Sequence, residues 1–494
     1  MNANLLRSLP LVWCLCASSS ARADPAGGDK LVIEAGRILT QAGTEIENGV
    51  IVIENGRITA IGKADEIKKP WDAPVIGGPD RVAFPGFVEA HTSQGMDRPN
   101  ENVEVAPFLD VRDSVDPVAF YFEDCLRYGI TTINVQHGND CVIGAQGMIV
   151  RPVGLTIEEM VVRPQYGLKL VAAARGGHSR ATQMQTLRQT FEGLRRYLED
   201  LVEKERGERG YAEREALFQG KELEGEKKKG RAMEGTAWKV DGLELVPRGA
   251  IDEKQAPLLD VVEGRRAAFF YCANAADVAN ALAIARENGF LAKTTLVIAP
   301  ACWQAVDIIA EAGTPVVLQG PLVEKRRDPI TGEEQETFVP GVLRDKGVDF
   351  ALSSLDGGPR SLWYQAALAV GLGLEREAAM DAVTKVPAEI LGLGNDVGSL
   401  EVGKLGNVLL FSGDPLGVTS WVEEAVVEGR KVYDRREDVR NRHLLEGIQP
   451  PNTAAAASAE EPKDQDAAAQ TRKEKETEET EKKDGDGGKR EEKP

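Results

Sequence analysis

The order of apolar and polar residues divides the chain into two strand-rich segments that flank a long segment of alternating strands and helices. Residues 49–54 and 57–62 are strand-like runs, and the Asn55-Gly56 pair between them is a strong hairpin signal. From about residue 84 to 392, β-branched runs such as 130–135 alternate with helical stretches such as 276–288. Repeated alternation predicts a parallel sheet, and about eight units suit a closed (β/α)8 TIM-type barrel, an α/β fold.

Two segments depart from this alternation. Residues from about 186 to 235 are rich in charges of both signs, which indicates a solvated helical excursion between barrel units rather than a dedicated binding arm. Residues 446–494 consist mostly of Ala, Glu, Lys and Asp. A segment with so few apolar residues cannot offset the entropy of ordering, so we expect a disordered charged tail.

The first residues are typical of a secretory signal. Arg7 precedes a short apolar core over residues 9–17, and Ala21-Arg22-Ala23 matches a small-residue cleavage site. The core is too short to cross a bilayer, because a spanning helix needs about 20 apolar residues. The sequence therefore predicts cleavage after residue 23, export to the periplasm or the extracellular space, and no integral membrane segment.

Composition restricts the partners. The formal net charge of −19 over 494 residues argues against nucleic acid as the main partner. Residues 138–147 contain three glycines, which indicates a turn after an early barrel strand, but they lack the P-loop Lys-Ser/Thr pair. No Gly-x-Ser-x-Gly nucleophile elbow occurs, which disfavours a serine hydrolase. We expect a small-molecule substrate or ligand, and the sequence leaves homo-oligomerisation open.

Two motifs carry a resemblance to a known family. Residues 84–93 read FPGFVEAHTS and resemble the first barrel strand of the amidohydrolase superfamily, which usually runs PGF-[VI]-[DN]-x-H-x-H. Residues 398–411 read GSLEVGKLGNVLLF and resemble the segment that follows the barrel in that family. The resemblance covers most of residues 31–435, and the imidazolonepropionase-like members are the subgroup it indicates. It implies a barrel over residues 83–395 and a small composite β-sandwich built from residues 24–82 and 396–435.

The resemblance also implies a metal site that is only partly present. In the family, a His-x-His pair on strand 1, one His each on strands 5 and 6, and an Asp on strand 8 bind the metal. His91 matches the first of these ligands, and Ser93 stands at the second. Asp356 matches the aspartate, which in relatives is both a ligand and the general base for the attacking water. The chain has only four histidines, so the full set cannot be built: His91, His137, His178 and His443.

Substitute ligands and plain structural roles both stay open. His137 ends a predicted strand and His178 lies in the loop after another, so either could complete a reduced metal site. Lys169 resembles the family's Lys-[Ile/Leu]-Ala strand start, which leaves a bridging carbamylated lysine as an alternative. His91 could equally be a polar residue at the barrel mouth, and Asp356 could cap the loop after its strand.

The resemblance implies hydrolysis of a non-peptide C–N bond, in an amide or a cyclic amide. Water activated by one divalent metal, with zinc as the preferred ion, would attack the carbonyl. The reduced ligand count leaves a second function open, a catalytically inactive barrel that binds a small ligand or a protein partner and holds no metal. The substrate is not predicted, because specificity depends on the loops after the strands.

Overall fold

The computed structural model describes residues 30–43, 45–218, 240, 242–243, 246–354 and 358–446. The chain divides into two compact units, Met1–Arg435 and Arg436–Pro494. The predicted signal peptide and most of the predicted charged tail lie outside the described residues. Of the second unit, the structure describes the helix Val439–Glu446. No helix in the described part of the chain has the length and apolar content needed to span a membrane.

The segments before and after the barrel form one hydrogen-bonded sheet. Its seven strands lie in the order β17-β16-β15-β4-β1-β2-β3. The strands are β1 Lys30–Ile38, β2 Ile46–Glu54, β3 Arg57–Lys63, β4 Val75–Pro85, β15 Val408–Phe411, β16 Val422–Val427 and β17 Arg430–Asp434. The antiparallel pair β4–β15 joins the two segments. The predicted pairing of the two segments is therefore present, whereas a sandwich of two sheets is not confirmed.

The Asn55-Gly56 pair makes the predicted hairpin turn between β2 and β3. Asn55 has a φ of 51° and Gly56 a φ of 77°. Two positive φ angles define the tight turn that matches the twist of paired antiparallel strands, and Asn and Gly adopt them at the lowest energy. The Asn55-Gly56 pair therefore predicts the hairpin because both residues adopt the positive φ angles that its turn requires.

An eight-stranded sheet forms the nearly closed barrel. Its order is β14-β11-β10-β9-β8-β7-β6-β5. Its strands are β5 Phe87–Thr92, β6 Ile130–Val135, β7 Ile143–Val150, β8 Val161–Val171, β9 Ala267–Cys272, β10 Thr294–Ile298, β11 Val316–Leu318 and β14 Phe350–Leu352. The first and last strands come together through one short segment, because the N–H groups of Val88 and Leu352 donate to the carbonyls of Val383 and Ala382.

The barrel differs from the predicted all-parallel arrangement at β7, which pairs antiparallel with both β6 and β8. Two hairpin connections therefore replace helical crossovers at this point. The glycine-containing segment that predicted only a turn thus enters a strand that is buried along its whole length. A Cβ at Gly147 would lie 2.1 Å from Nε2 of Gln136, so any larger residue there would displace the side-chain amide of Gln136.

The first unit also contains ten described helices. Besides short 3-10 turns, they are α1 Phe120–Arg127, α2 Ile157–Met160, α3 Arg180–Phe218, α4 Ala256–Val262, α5 Ala275–Glu287, α6 Val306–Ala312, α7 Val339–Asp345, α8 Arg360–Gly371, α9 Arg376–Asp381 and α10 Lys385–Ile390. A separate two-stranded ribbon, β12 Val323–Arg327 and β13 Glu334–Phe338, follows β11. Asn274 caps α5 with a complete capping box, since its side chain and that of Asp277 satisfy each other's backbone N–H groups.

The described part of the charged segment, up to Phe218, is helical as predicted, but it is not simply solvated. A row of apolar side chains along α3 is buried: Met184, Leu187, Phe191, Leu194, Leu198 and Val202. Their spacing of three and four residues places them on one face of the helix. The ring of Phe191 lies 5.4 Å from that of Phe290, centroid to centroid. The first half of α3 is therefore an amphipathic crossover helix between β8 and β9, with its charges on the outer face.

Candidate active site

His91 and Lys169 meet inside the barrel near the carboxyl ends of two strands. His91 is the next-to-last residue of β5, and Lys169 lies two residues before the end of β8. Nζ of Lys169 lies 2.8 Å from Nε2 of His91, within hydrogen-bond distance. Both side chains are buried, with 0% exposure for Lys169 and 2% for His91. The barrel therefore brings an amine and an imidazole from residues 78 apart in the sequence into direct contact.

Burial shifts the proton affinities of both groups. It lowers the pKa of Lys169 from its ordinary 10.5 to about 7, because the interior solvates the ammonium form poorly. Burial also holds the pKa of His91 well below its ordinary value, and the nearby charge of Lys169 lowers it further. The second ring nitrogen of His91, Nδ1, has no hydrogen-bond partner among the described residues. The imidazole is therefore neutral at neutral pH, while the amine lies close to its midpoint.

Glu89 links the first barrel strand to the last. Its Oε2 accepts the N–H of Ser354 at 2.8 Å, and its Oε1 accepts the N–H of His91 at 3.4 Å. Burial raises the pKa of Glu89 to about 7, although these backbone hydrogen bonds act in the opposite direction. Glu89 therefore binds the backbone N–H groups of His91 and of Ser354, which follows the last barrel strand.

His137 uses both of its ring nitrogens in local contacts. Nε2 accepts the N–H of Glu101 at 3.2 Å, and Nδ1 lies 3.0 Å from the carbonyl oxygen of Gly138, which can only accept. These partners select the tautomer that carries its proton on Nδ1. Gly144 of β7 lets the ring fit, because a Cβ there would lie 2.7 Å from Cγ of His137. In this arrangement neither nitrogen of His137 is free to bind a metal.

His178 lies at the rim of the barrel mouth, in a cluster of charged side chains. Its Nε2 is 3.4 Å from Oε2 of Glu104, and Nη1 of Arg175 is 3.6 Å from the same oxygen. Nε of Arg175 lies 3.7 Å from Oδ1 of Asp140. His178 therefore contacts charged loop residues at the rim, and the contacts described for it do not include His91.

A hydrogen bond crosses the mouth above these strands. Nδ2 of Asn139, in the loop after β6, donates to Oε1 of Gln319, after β11, at 3.1 Å. Strands β5 and β14 lie between those two strands in the barrel, so the bond spans their carboxyl ends. The N–H of Gly138 donates to the carbonyl of Pro99 at 2.6 Å and ties the same loop to the one after β5. These contacts connect the loops that follow β5, β6 and β11 at this end of the barrel.

The described residues do not fit the metal centre of the family pattern. In the ranges that the structure covers, no three His, Cys, Asp or Glu side chains converge as a metal-binding group. Nε2 of His91 already contacts an amine that would have to move before an ion could bind there. Asp356 lies outside the described residues. Metal binding by His91 and Asp356, with His137 or His178 as substitutes, therefore stays a prediction.

Sequence reasoning found His91 but missed its partner and its neighbour. The sequence predicts for Lys169 only the role of a carbamylated metal bridge and predicts no function for Glu89. A signal is present in both cases, because Glu89 follows the apolar pair Phe87-Val88 and Lys169 stands between two leucines in strand-like runs. Charged residues are almost never fully buried without a partner, so such positions indicate a polar contact inside the fold.

Known proteins match this chain in two ways. An imidazolonepropionase from Bacillus cereus is 28% identical over 147 residues, which covers 22% of this chain and 35% of the relative. An imidazolonepropionase from Bacillus mycoides is 26% identical over an alignment of the same length, 147 residues. The chain thus spans about a third, 35%, of the length of the curated relatives it matches. No family model matches the sequence.

The structural match extends over most of the chain. The structure of an amidohydrolase from Thermotoga maritima aligns with a TM-score of 0.64 and 23% identity, and covers 82% of this chain and 100% of that one. The two chains therefore share a fold. Together with the sequence matches, this fold confirms the predicted resemblance to the amidohydrolase superfamily.

Proposed function

We propose that this protein hydrolyses a non-peptide C–N bond, in an amide or a cyclic amide, at the carboxyl-terminal mouth of the barrel. The observation that carries the proposal is the contact between Nζ of Lys169 and Nε2 of His91, 2.8 Å apart at that end of the barrel. Active sites of barrel enzymes lie at this face. The similarity to imidazolonepropionases supports the C–N bond as the bond that is broken.

The pair supplies acid–base chemistry without further groups. Hydrolysis of an amide needs one proton removed from the attacking water and one proton delivered to the leaving nitrogen. The unprotonated pair accepts the proton of the water as the oxygen adds to the carbonyl carbon. The protonated pair then returns that proton to the nitrogen as the C–N bond breaks. One proton thus passes through Lys169 in each turnover, and His91 orients the amine through its hydrogen bond.

No step of this mechanism passes through a metal, because the described residues do not fit the family centre. Zinc-activated water, with His91 as a ligand and Asp356 as ligand and base, stays the prediction that the resemblance implies. The two routes differ in one respect that can be measured. Hydrolysis by the amine–imidazole pair continues in protein that has been stripped of divalent ions, whereas hydrolysis by metal-bound water stops.

A panel of small amides and cyclic amides, read by mass spectrometry of the ring-opened or cleaved product, tests the proposal. The variants are Lys169→Met and His91→Ala, and Lys325→Met is the matched control, because its side chain is 64% exposed on the ribbon. We expect turnover in the wild type and the control, and loss by at least about 100-fold in Lys169→Met, the usual contribution of a general acid–base group. Equal turnover in Lys169→Met would contradict the proposed role.

A second function is favoured by the closed mouth. The Asn139–Gln319 bond spans the strand ends, and His91 is only 2% exposed. A barrel that stays closed would bind a small ligand or a partner without turnover. Saturable binding of a cyclic amide with no product over a long incubation, in both the wild type and an Asn139→Ala variant, would support this second function over hydrolysis.

A further inference from the structure

A polar cavity of about 130 Å³ lies at the opposite end of the barrel from His91. It is bounded by the first residues of β6 and β8 and by the β16–β17 turn of the seven-stranded sheet. Three of the side chains that line it are arginines, Arg57, Arg151 and Arg163. Two carboxylates, Asp396 and Glu428, line it as well. The cavity is therefore positively charged, in a chain whose net charge is strongly negative.

Both carboxylates are already paired with arginines. Nη2 of Arg57 donates to Oδ1 of Asp396 at 2.9 Å, and Nη1 of Arg151 donates to Oε1 of Glu428. Arg57 makes a second bond to the carbonyl of Gly403 at 2.7 Å. These pairs neutralise two of the three guanidinium groups and fix the walls of the cavity.

Arg163 has no such counter-charge. Its Nη2 donates to the carbonyl of Gly392 at 2.9 Å and its Nη1 to that of Leu391 at 3.4 Å. No carboxylate of the described residues lies within salt-bridge distance of it, 4.0 Å. Two backbone carbonyls and the ring of Tyr166, whose centroid lies 6.0 Å from Cζ of Arg163, orient the guanidinium, but none of these groups carries a negative charge to balance it.

A second polar group in the lining lacks a partner. Thr131, the second residue of β6, is 1% exposed, and its Oγ1 has no hydrogen-bond partner in the described part of the protein. Buried hydroxyl groups are normally hydrogen-bonded, so an unpaired one beside a polar cavity indicates a missing partner there. A hydroxyl can donate to an oxyanion, as a guanidinium can.

One wall of the cavity is held in an unusual backbone conformation. Glu428, which begins the β16–β17 turn, has a φ of 48°, in the left-handed region that disfavours a residue with a Cβ. Its N–H donates to Oδ1 of Asn407 at 2.8 Å, and its carboxylate pairs with Arg151. The bond to Asn407 holds the backbone of Glu428, and the pair with Arg151 engages its carboxylate, which is therefore not available to neutralise Arg163.

We propose that this cavity binds one small oxyanion, such as inorganic phosphate or the carboxylate of a small organic acid. The guanidinium of Arg163 supplies the charge, and the hydroxyl of Thr131 supplies a second donor. A volume of about 130 Å³ accommodates an anion of this size, since one water molecule in the liquid occupies about 30 Å³. The site is separate from the proposed hydrolytic centre and does not depend on it.

Isothermal titration of the full chain with inorganic phosphate, and separately with acetate, tests this site, with chloride at matched ionic strength as the reference. We expect one site per chain for at least one of the two anions. Phosphate binding alone identifies a tetrahedral oxyanion as the ligand, and acetate binding alone identifies a carboxylate. The absence of saturable binding for both anions would overturn the proposal.

Three variants assign the binding to these residues. Arg163→Met should weaken the anion affinity at least about tenfold, and Thr131→Val, which removes the hydroxyl at constant shape, should weaken it several-fold. Arg344→Met is the control, because Arg344 is exposed and pairs only with its neighbour Asp345 in the described structure. If Arg163→Met does not fold, the anion affinities of Thr131→Val and Arg163→Lys are measured instead. Affinities equal to wild type in the folded variants would overturn the assignment.

Discussion

Replacing Lys169 with methionine should stabilise the protein while it abolishes hydrolysis. Burial lowers the pKa of Lys169 from 10.5 in the unfolded chain to about 7 in the fold. At about 1.4 kcal/mol per pKa unit, holding this amine inside the barrel costs on the order of 5 kcal/mol at pH 7. Methionine, which has a similar length and no charge, removes this cost. The variant also leaves Nε2 of His91 without its partner, which costs about 1–3 kcal/mol.

The net expectation is a gain of about 2–4 kcal/mol in the free energy of unfolding at pH 7. The gain must depend on pH, and its sign follows from linkage. The folded-state pKa is depressed, so the wild type gains stability as the pH rises from about 7 to 10.5, where the unfolded chain also loses its proton. Lys169→Met lacks this gain: near pH 10 the remaining cost of burying the amine is only about 1 kcal/mol, so the loss of about 1–3 kcal/mol at His91 should make the variant equal to wild type or up to about 2 kcal/mol less stable.

Urea unfolding followed by circular dichroism, at pH 7 and at pH 10, measures this difference. Lys325→Met is the control, since Lys325 forms an exposed pair with Glu336 at 2.7 Å, and such pairs contribute about 0–1 kcal/mol. A Lys169→Met protein that is no more stable than wild type at pH 7 would refute the reasoning. An advantage that is the same at both pH values would refute it as well.

Three other substitutions test the account elsewhere in the fold. Burial raises the pKa of Glu89 from 4.5 to about 7, so the wild type loses stability as the pH rises through this range. In urea unfolding, Glu89→Gln should therefore raise the free energy of unfolding by on the order of 3 kcal/mol at pH 9 and by little at pH 5. In the same assay, Phe191→Ala on α3 should lower the free energy of unfolding by about 3–5 kcal/mol. The neighbouring Glu192 is 62% exposed, so Glu192→Ala should lower it by less than about 0.5 kcal/mol. Gly144→Ala should cost about 1–3 kcal/mol and shift the imidazole resonances of His137 in NMR spectra, because a Cβ there would lie 2.7 Å from Cγ of His137. Unchanged stability of Glu89→Gln at pH 9, of Phe191→Ala or of Gly144→Ala would contradict the corresponding argument.

The sequence predicts the elements whose signals are local. Residues 130–135 form β6 as predicted, because a β-branched run bounded by turns specifies a buried strand. Two errors have a common origin in reading average composition over a window. The many charges between its members mask the apolar row on α3, and the glycines of β7 predict a turn although in the fold they permit close packing.

The site depends on contacts that no local pattern encodes. His91 could be found because it stands in a family motif, whereas its contact with Lys169 arises only when β5 and β8 are brought to the same interior. The pKa of each group depends on that burial and not on its neighbours in the sequence. The contact of Glu89 is likewise absent from any local pattern, because its partner Ser354 lies 265 residues away in the sequence.

The measurement that tests the central claim most directly is amide hydrolysis by metal-stripped protein, with the metal content of the same sample determined by elemental analysis. The amine–imidazole account predicts that turnover persists with well under one divalent ion per chain and disappears in Lys169→Met. Turnover that vanishes on stripping and returns in proportion to added zinc would contradict it, and would assign the chemistry to a metal held by His91.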